Sequence, residues 1–331
     1  MQKSIYLHGG GTLSRQQNTL QFDNQNHRPR FIPVEHIADI HALGTVTVNS
    51  HVLTFLSERN IPLHIYSYYG HYAGSYLPKQ HRSSGTLMLA QARHYEDISQ
   101  RLYLAKQFVH GSLDNIAVVL KYYNRRQRQF TSAIERITSL REAIMRQRDS
   151  NALMALEGNA RNHYYHQWEQ IVTSKDFAFE KRSRRPPQNP LNALISFANT
   201  LLYTTCLSEL NVVQLDPRIG YLHATNTRNY TLNLDIAEVF KPIIVDRMIF
   251  TLLNKGMLQH GHFHPQAKGI YLNEEGRKIV LQAFDARLKE SITLKGDKRP
   301  TSYRYLIRKE AYKLQKHLLE AIPYQPYVAS Q

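Results

Sequence analysis

The spacing of apolar residues changes near residue 85, and this change constrains the fold more than any other feature. Before it, short stretches rich in β-branched residues are separated by turn-forming residues, as in SIYLHG, TLQFD, IADIHAL and TVTVNS. Such stretches are typical of β-strands. Beyond it, apolar residues recur with the period of amphipathic helices. The sequence therefore predicts an α+β fold in two domains, a β-sandwich-like domain over 1–85 and a larger all-α domain over 86–331.

Local patterns predict several elements within these domains. In the β part, VNSHVLTFLSERN is expected to form one short helix capped by Asn49 or Ser50. The run Gly9–Gly11 lacks the Gly-Lys-Ser/Thr ending of a phosphate loop, so it is interpreted as a hairpin turn. KQHRSSG, at 79–85, is a predicted linker. Later, helices are expected near 190–210 and 234–255, and GIYLNEEG is expected to be a short strand that leads into a helix.

The charge balance indicates a polyanionic partner. The chain has 331 residues with 42 Lys and Arg against 26 Asp and Glu, which gives a net charge of +16. Such a balance is typical of nucleic-acid binding, although an uninvolved basic surface remains an alternative. Residues 1–85 hold 7 basic and 4 acidic side chains, whereas the remainder holds 35 and 22. The second domain is therefore the predicted site of binding.

Several classes of site are excluded or disfavoured. The single cysteine, Cys206, excludes an intramolecular disulfide and a cysteine-based zinc site. His260, His262 and His264 alternate in HGHFHP, but no cysteine or nearby carboxylate completes a zinc set. No stretch approaches the ~18–20 apolar residues of a membrane span. The start of the chain lacks the apolar core of a signal peptide. We therefore expect no membrane association and a cytoplasmic location.

Two acidic residues lie in a segment that should be buried. Asp235 and Glu238 are three residues apart in LDIAEVF, so on a helix they share one face. Acidic residues in a first helical turn can simply stabilise the helix dipole. Because apolar residues surround this pair, burial is also expected, and a buried carboxylate requires a cationic partner or a metal ion.

Together with Glu157 and His223, Glu238 makes a plausible divalent-metal site. Carboxylate oxygens suit Mg²⁺ or Mn²⁺, and one imidazole favours Mn²⁺. Asp235 is either a fourth ligand or a residue that orients the others. Spacing alone does not assemble the group, because 66 residues separate Glu157 from His223. Gly158 next to Glu157 is costly inside a helix, by about 1 kcal/mol relative to alanine. A close approach of DNA or of a neighbouring helix to this backbone would explain the glycine.

A basic, proline-rich loop precedes the helix expected from Asn189-Pro190. Such a loop could neutralise DNA phosphates, although basic loops are often simply solvated. The candidate DNA-binding residues in this loop are Lys181, Arg182, Arg184 and Arg185.

At these residues the sequence closely resembles CRISPR-associated protein one, the spacer-acquisition integrase and metal-dependent DNA endonuclease. The likeness covers essentially the whole chain, and the version found in type I-B systems is the one resembled. It rests on these blocks in this order: GTLSRQQNTL, IPVEHIADI, NIPLHIYSYYGHYAGSYLP, EGNARNHYY, RRPPQNPLNALISFANTLLY, LDPRIGYLH, LDIAEVFKPIIVDR and YLNEEGRK.

The resemblance implies a function for the candidate ligands. By motif, the metal ligands of the family fall on Glu157, His223 and Glu238, and the first acid of the pair falls on Asp235. Many relatives carry Asp where this chain has Glu238, and many carry Arg at Lys241. Glu reaches one methylene further, and Lys keeps the charge but lacks the bidentate fork of Arg.

The resemblance also implies the reaction and the partners. Members form homodimers, and two dimers flank a dimer of a small ferredoxin-like partner protein while the complex holds a prespacer duplex. The β domain would provide dimerisation and partner contact. A prespacer 3′-hydroxyl would attack a phosphodiester of the CRISPR repeat, by in-line phosphoryl transfer with Mg²⁺ or Mn²⁺. Two alternatives remain, a stand-alone nuclease for branched DNA and a catalytically silent DNA-binding scaffold.

Overall fold

The structure is a computed structural model, and the chain divides into two compact units. The first unit comprises Met1–Ser83 and Leu272–Leu281, and the second comprises Ser84–Tyr271 and Gln282–Gln331. The residues that the structure describes are 3–24, 28–67, 69–78, 85–127, 129–184, 186–223, 229–266, 269–294, 296–297 and 299–330. Most of the predicted linker, 79–84, lies outside them.

Among its described residues, the first unit contains two four-stranded sheets, one complete helix and, within Leu272–Leu281, the first part of a later helix. Its elements are β1 (Lys3–His8), β2 (Gly11–Gln16), β3 (Thr19–Asp23), β4 (Arg30–Pro33), β5 (Ile37–Leu43), β6 (Val46–Val48), α1 (Ser50–Glu58), β7 (Leu63–Tyr66) and β8 (Tyr72–Tyr76). The strand order is β1-β5-β7-β8 in the first sheet and β4-β3-β2-β6 in the second. Helix α1 begins as predicted, because the Asn49 side chain accepts a hydrogen bond from the Val52 amide.

One apolar core joins the two sheets. Alternate residues of each strand point inward, so Ile5 and Ile40 from the first sheet share a buried cluster with Leu13 and Leu20 from the second. Phe55 of α1 belongs to the same cluster. This arrangement confirms the predicted β-sandwich-like fold of the N-terminal part.

Two chain segments cross from the first sheet to the second next to each other, and glycines allow them to lie this close. Strand β1 pairs in parallel with β5 in the first sheet, and β2 pairs in parallel with β6 in the second. The two crossings meet at Gly9, with φ +75°, and Gly44, with φ +149°. A Cβ atom at Gly44 would collide with the Gly9 backbone. The predicted hairpin at Gly9–Gly11 is therefore wrong, since this run connects two sheets.

Helices dominate the chain from residue 85 onward, which confirms the predicted fold class. They are α2 (Gly85–Glu96), α3 (Ile98–Gln127), α4 (Thr131–Ala143), α5 (Ser150–His166), α6 (Trp168–Ile171), α7 (Pro190–Val213), α8 (Leu232–Lys241), α9 (Arg247–Asn254), α10 (Glu274–Lys289) and α11 (Tyr303–Glu320). Two small sheets accompany these helices. They pair β9 (Phe263–Gln266) with β10 (Gly269–Leu272) and β11 (Ser291–Ile292) with β12 (Thr301–Ser302). Strand β10 followed by α10 confirms the short strand that was expected to lead into a helix at GIYLNEEG.

Helix α7 is buried along almost its whole length. It begins at the predicted cap, because Asn189 Oδ1 accepts a hydrogen bond from the Asn192 amide at 2.8 Å. Pro190 occupies the first helical position, where a missing amide hydrogen costs nothing. Although α7 is long and apolar, no helix in the described part of the chain meets the length and hydropathy of a membrane-crossing segment.

A proline divides the helix that was predicted over 234–255. Helix α8 ends at Lys241, and Pro242–Asp246 form a wider turn of π geometry before α9. Pro242 has no amide hydrogen to donate to the Glu238 carbonyl four residues earlier. Arg161 donates to this carbonyl instead, at 3.3 Å. Such turns occur frequently at functional sites.

We predict that Gly44→Ala destabilises the protein by about 2 kcal/mol or more, because alanine adds a collision and an unfavourable backbone conformation. Urea unfolding measures the effect. Gly74→Ala is the matched control in the same unit, since a Cβ atom there would meet nothing within 4 Å. Equal stability of the two variants would contradict the constraint at the crossing.

Candidate metal centre

Arg161 bridges two of the predicted metal ligands. Glu157 and Arg161 lie one turn apart on α5, and Arg161 Nε donates to Glu157 Oε1 at 3.1 Å. Arg161 Nη2 donates to Glu238 Oε2 of α8 at 2.9 Å. The same nitrogen lies 3.3 Å from Ser112 Oγ on α3. The guanidinium therefore joins three helices at a buried point.

A second cation and a third carboxylate complete this cluster. Lys241 Nζ forms a short ion pair with Glu238 Oε1, so both carboxylate oxygens of Glu238 contact cations. Asp246 Oδ2 lies 3.5 Å from Arg161 Nη1. Neither Arg161 nor Asp246 was among the site residues predicted from the sequence. The spacing of Glu157 and Arg161, four residues apart on one helix, was the available signal.

Asp235 holds the segment that carries His223 in place through hydrogen bonds. Its Oδ2 accepts hydrogen bonds from the backbone amides of Tyr221 and Leu222, at 2.6 and 3.0 Å. Its Oδ1 accepts from the His223 amide at 2.9 Å and lies 2.7 Å from His223 Nδ1. A carboxylate at this distance assigns the proton to Nδ1, which leaves Nε2 with its lone pair for a ligand. The next residues, 224–228, lie outside the described part of the chain.

Burial and charge shift the two glutamates in opposite directions. Burial raises the pKa of Glu157, and the negative charge of Glu238 adds to this effect. Burial also acts to raise the pKa of Glu238, but the charges of Lys241 and Arg161 outweigh it and hold this pKa well below its usual range. Glu157, which is partly exposed, therefore has less cationic compensation than the buried Glu238, and an additional cation beside it would favour its ionised form.

His223 lies in the same electrostatic field. Burial would lower the pKa of His223, but its hydrogen bond with Asp235 and the charges of Asp235 and Glu238 raise it overall. The charge of His223 in turn acts on Glu157 and Glu238. Burial raises the pKa of Asp246 to about 7, although Arg161 opposes this shift. The charges of the three predicted ligands therefore influence one another's pKa values.

The donor chemistry of Glu157, His223 and Glu238 fits a divalent ion. Two carboxylates and one imidazole suit Mn²⁺ or Mg²⁺. Within the described residues, however, these three do not bring their ligand atoms within 4.8 Å of one another. Arg161 and Lys241 hold the carboxylates instead. Because a carboxylate has about four lone-pair positions, it can bind a metal ion and still accept from a cation. The donor chemistry of the three residues therefore fits the ion, although their ligand atoms are not gathered around one point.

Comparison with known proteins assigns the family. The family described as "CRISPR associated protein Cas1" matches residues 5–286. The chain belongs to the Cas1 family. A curated relative from Thermodesulfovibrio yellowstonii, named "CRISPR-associated endonuclease Cas1 2", is 48% identical over 328 residues, covering 99% of each chain. A curated Cas1 endonuclease from Thermotoga maritima is 40% identical over 317 residues, covering 96% of this chain and 97% of the relative. The predicted family is thereby confirmed.

Solved structures of Cas1 and of a related fold match the whole chain. A Cas1 structure from Thermotoga maritima has a TM-score of 0.88 and 38% identity, with 99% of each chain covered. A casposase bound to an integration product has a TM-score of 0.87 and covers 98% of this chain and 92% of that chain. Its identity is 20%, so this likeness establishes the fold alone.

The predicted DNA-binding loop contains residues in different environments. Lys181 and Arg184 are exposed. Arg182 is half-buried and donates to Asn192 Oδ1 at 2.8 Å and to Ser196 Oγ at 3.0 Å, and burial lowers its pKa. These contacts fasten the loop to the start of α7. Arg185 lies outside the described residues. A role of these four residues in DNA binding stays a prediction.

Gly158 is exposed on α5, and a Cβ atom there would meet nothing within 4 Å. Among the described residues, no neighbouring helix requires a glycine at this position. Close approach of DNA remains a hypothesis.

We predict that Asp235→Asn weakens Mn²⁺ binding about 10–100-fold, which is typical of losing the partner of a ligating histidine. The amide turns an NH₂ group or an uncharged oxygen toward His223 Nδ1, so the ring loses its fixed orientation. Isothermal titration measures the affinity. Asp216→Asn is the control, because Asp216 lies in the same segment but pairs with Arg218. Equal affinities in the two variants would contradict the role of Asp235.

We predict that Lys241→Met lowers stability without metal by about 3 kcal/mol, because it leaves Glu238 with one fewer buried counter-charge. Mn²⁺ should then raise the thermal midpoint of the variant more than that of the wild type, since the ion no longer competes with Lys241. Lys278→Met is the control, because Lys278 pairs with Glu274 on the surface. A smaller Mn²⁺ effect in Lys241→Met than in the wild type would contradict competition at Glu238.

Proposed function

We propose that this chain is a divalent-metal-dependent DNA endonuclease and strand-transfer integrase of CRISPR adaptation. The observation that carries the proposal is the ion-paired bridge Glu157–Arg161–Glu238, which lies in the same charge field as a histidine whose Nδ1 is held by Asp235. The chain also shares 48% identity over nearly its full length with a relative named an endonuclease. In the proposed reaction, a prespacer 3′-hydroxyl attacks a phosphodiester of the CRISPR repeat.

Each residue of the centre has a defined part in this proposal. Glu157, His223 through Nε2, and Glu238 would hold Mg²⁺ or Mn²⁺. When bound, such an ion polarises phosphorus–oxygen bonds and activates a hydroxyl nucleophile. Asp235 keeps the imidazole in the tautomer and orientation that ligation requires. Arg161 fixes the two carboxylates relative to each other, which is the positioning on which phosphoryl transfer depends.

Double-stranded and branched DNA are the proposed substrates. The net charge of +16 supports a polyanionic ligand. Lys181 and Arg184 are exposed on the basic loop and can contact phosphates without giving up a buried contact. We assign Arg182 mainly to holding that loop. With water as the nucleophile, the same centre would cut DNA.

The proposed assembly follows the family resemblance. We propose a homodimer that contacts a small ferredoxin-like partner protein through the β-rich residues 1–85, while residues 86–331 bind DNA and carry the catalytic centre. The proposal includes a cytoplasmic location, where the DNA of a prokaryotic cell is accessible.

A strand-transfer assay tests this function. The protein is mixed with its small partner, a labelled duplex with 3′-hydroxyl ends, a plasmid that carries the repeat, and Mn²⁺ or Mg²⁺. We predict that label joins the plasmid, and that Glu157→Ala and His223→Ala each reduce joining by at least about 100-fold, as expected for loss of preorganised charge stabilisation. Dideoxy ends should abolish joining because they lack the nucleophile.

Two exposed residues provide matched controls. His166→Ala on α5 and Glu169→Ala on α6 remove the same side-chain types away from the centre and should leave joining unchanged. Cutting without joining would favour the stand-alone nuclease. DNA binding without any reaction under either metal would favour the silent scaffold and contradict the proposed centre.

A further inference from the structure

A second group of metal-ligating side chains lies in the first unit. Asp39 and His41 belong to β5, and His64 belongs to the neighbouring strand β7. All three are buried, with exposures of 0%, 1% and 0%. Their neighbours Ile40 and Leu63 belong to the apolar core. Because successive side chains of a strand point to opposite faces, the three polar groups lie on the face of the first sheet that is turned away from this core.

The three side chains converge on one point. Asp39 Oδ1 lies 3.2 Å from His41 Nε2, and Asp39 Oδ2 lies 4.0 Å from His64 Nε2. One ligand atom from each residue lies within 4.8 Å of the other two. An ion with ligand distances of 2.0–2.2 Å would set tetrahedral ligand atoms about 3.4 Å apart. Small side-chain movements would therefore bring the three ligand atoms to the spacing that coordination requires.

The strand register holds both imidazoles in this orientation. His41 lies opposite His64 in the parallel pair of β5 and β7, and His64 lies opposite Ser75 of β8. His41 Nδ1 lies 3.0 Å from the Tyr66 hydroxyl, and His64 Nδ1 lies 2.6 Å from Ser75 Oγ. Metal-binding histidines commonly make such a hydrogen bond through the second ring nitrogen, which fixes the tautomer with a lone pair at the other.

We propose that Asp39, His41 and His64 bind one divalent transition-metal ion of the zinc class. Two imidazoles and one carboxylate can ligate zinc with a fourth position left for water, whereas Mg²⁺ prefers oxygen ligands. The ion is structural, because side chains this deeply buried leave no opening for a substrate. It would join β5 to β7 and neutralise a buried carboxylate. This inference does not depend on the proposed function, since the catalytic ligands belong to the other unit.

Asp39 contacts both imidazoles without an ion, so zinc content is the quantity to measure. Full-length protein is loaded with zinc, dialysed against metal-free buffer, and its zinc content is measured by mass spectrometry. Glu157→Gln/His223→Gln/Glu238→Gln removes the candidate catalytic ligands and should retain one zinc per chain. Adding His41→Gln/His64→Gln to this triple variant should abolish zinc retention.

Two further arms keep the result interpretable. His260→Gln/His262→Gln removes another histidine pair, which lies outside the buried cluster, and should leave the zinc content unchanged. Zinc should also raise the thermal midpoint of the triple glutamine variant by about 5 °C, which tests binding without disturbing the cluster. Absence of zinc and of a thermal shift in the triple variant would overturn the proposal, as would full zinc retention after His41→Gln/His64→Gln is added to the triple variant.

Discussion

The candidate centre depends on the ion pairs that the buried guanidinium of Arg161 forms. The guanidinium holds Glu157 and Glu238 at a fixed separation and lies beside Asp246. It also donates to the Glu238 carbonyl, to which Pro242 cannot donate because it has no amide hydrogen. Removing one member of a buried ion cluster leaves an uncompensated charge, which typically costs 3–5 kcal/mol. The same contacts that build the site therefore also fasten α5 to α8.

Asp235 and Glu238 share a helix face but serve different purposes. Asp235 uses its carboxylate on three backbone amides and on His223, so it builds the loop that presents the imidazole. The side chain of Glu238 contacts only cations among its described hydrogen bonds, and it is the acid of the pair that we propose as a metal ligand. Of the two alternatives for Asp235, a fourth ligand or an orienting residue, the geometry favours the orienting residue. Division of this kind between ligand and supporting residue is common in metal sites.

Local patterns predicted what depends on local physics. The change in apolar period gave the order of strands and helices, and Asn189-Pro190 gave the start of α7, because caps and periodicity act within a few residues. Non-local features were missed. Gly9–Gly11 looked like a hairpin turn, since the sequence does not reveal that β1 pairs with β5. Arg161 was missed because its partner Glu238 lies 77 residues away.

The Asp39, His41 and His64 cluster was missed for a similar reason. Polar residues alternate with apolar ones in IADIHAL, which is ordinary for a strand with one solvated face. Burial of both faces and the register of β5 against β7 turn these residues into a group, and neither is visible in the sequence. By contrast, the resemblance to the family supplied the grouping of Glu157, His223 and Glu238 that spacing could not.

The most direct test of the central claim is an anomalous-diffraction measurement on crystals soaked in Mn²⁺. The account predicts a manganese peak about 2.0–2.3 Å from Glu157, from His223 Nε2 and from Glu238, with Asp235 still bonded to His223 Nδ1. It also predicts that Glu238 has turned away from Lys241, the cation with which the ion competes. A saturating soak with no peak at these residues, or a peak bound by other side chains, would contradict the account.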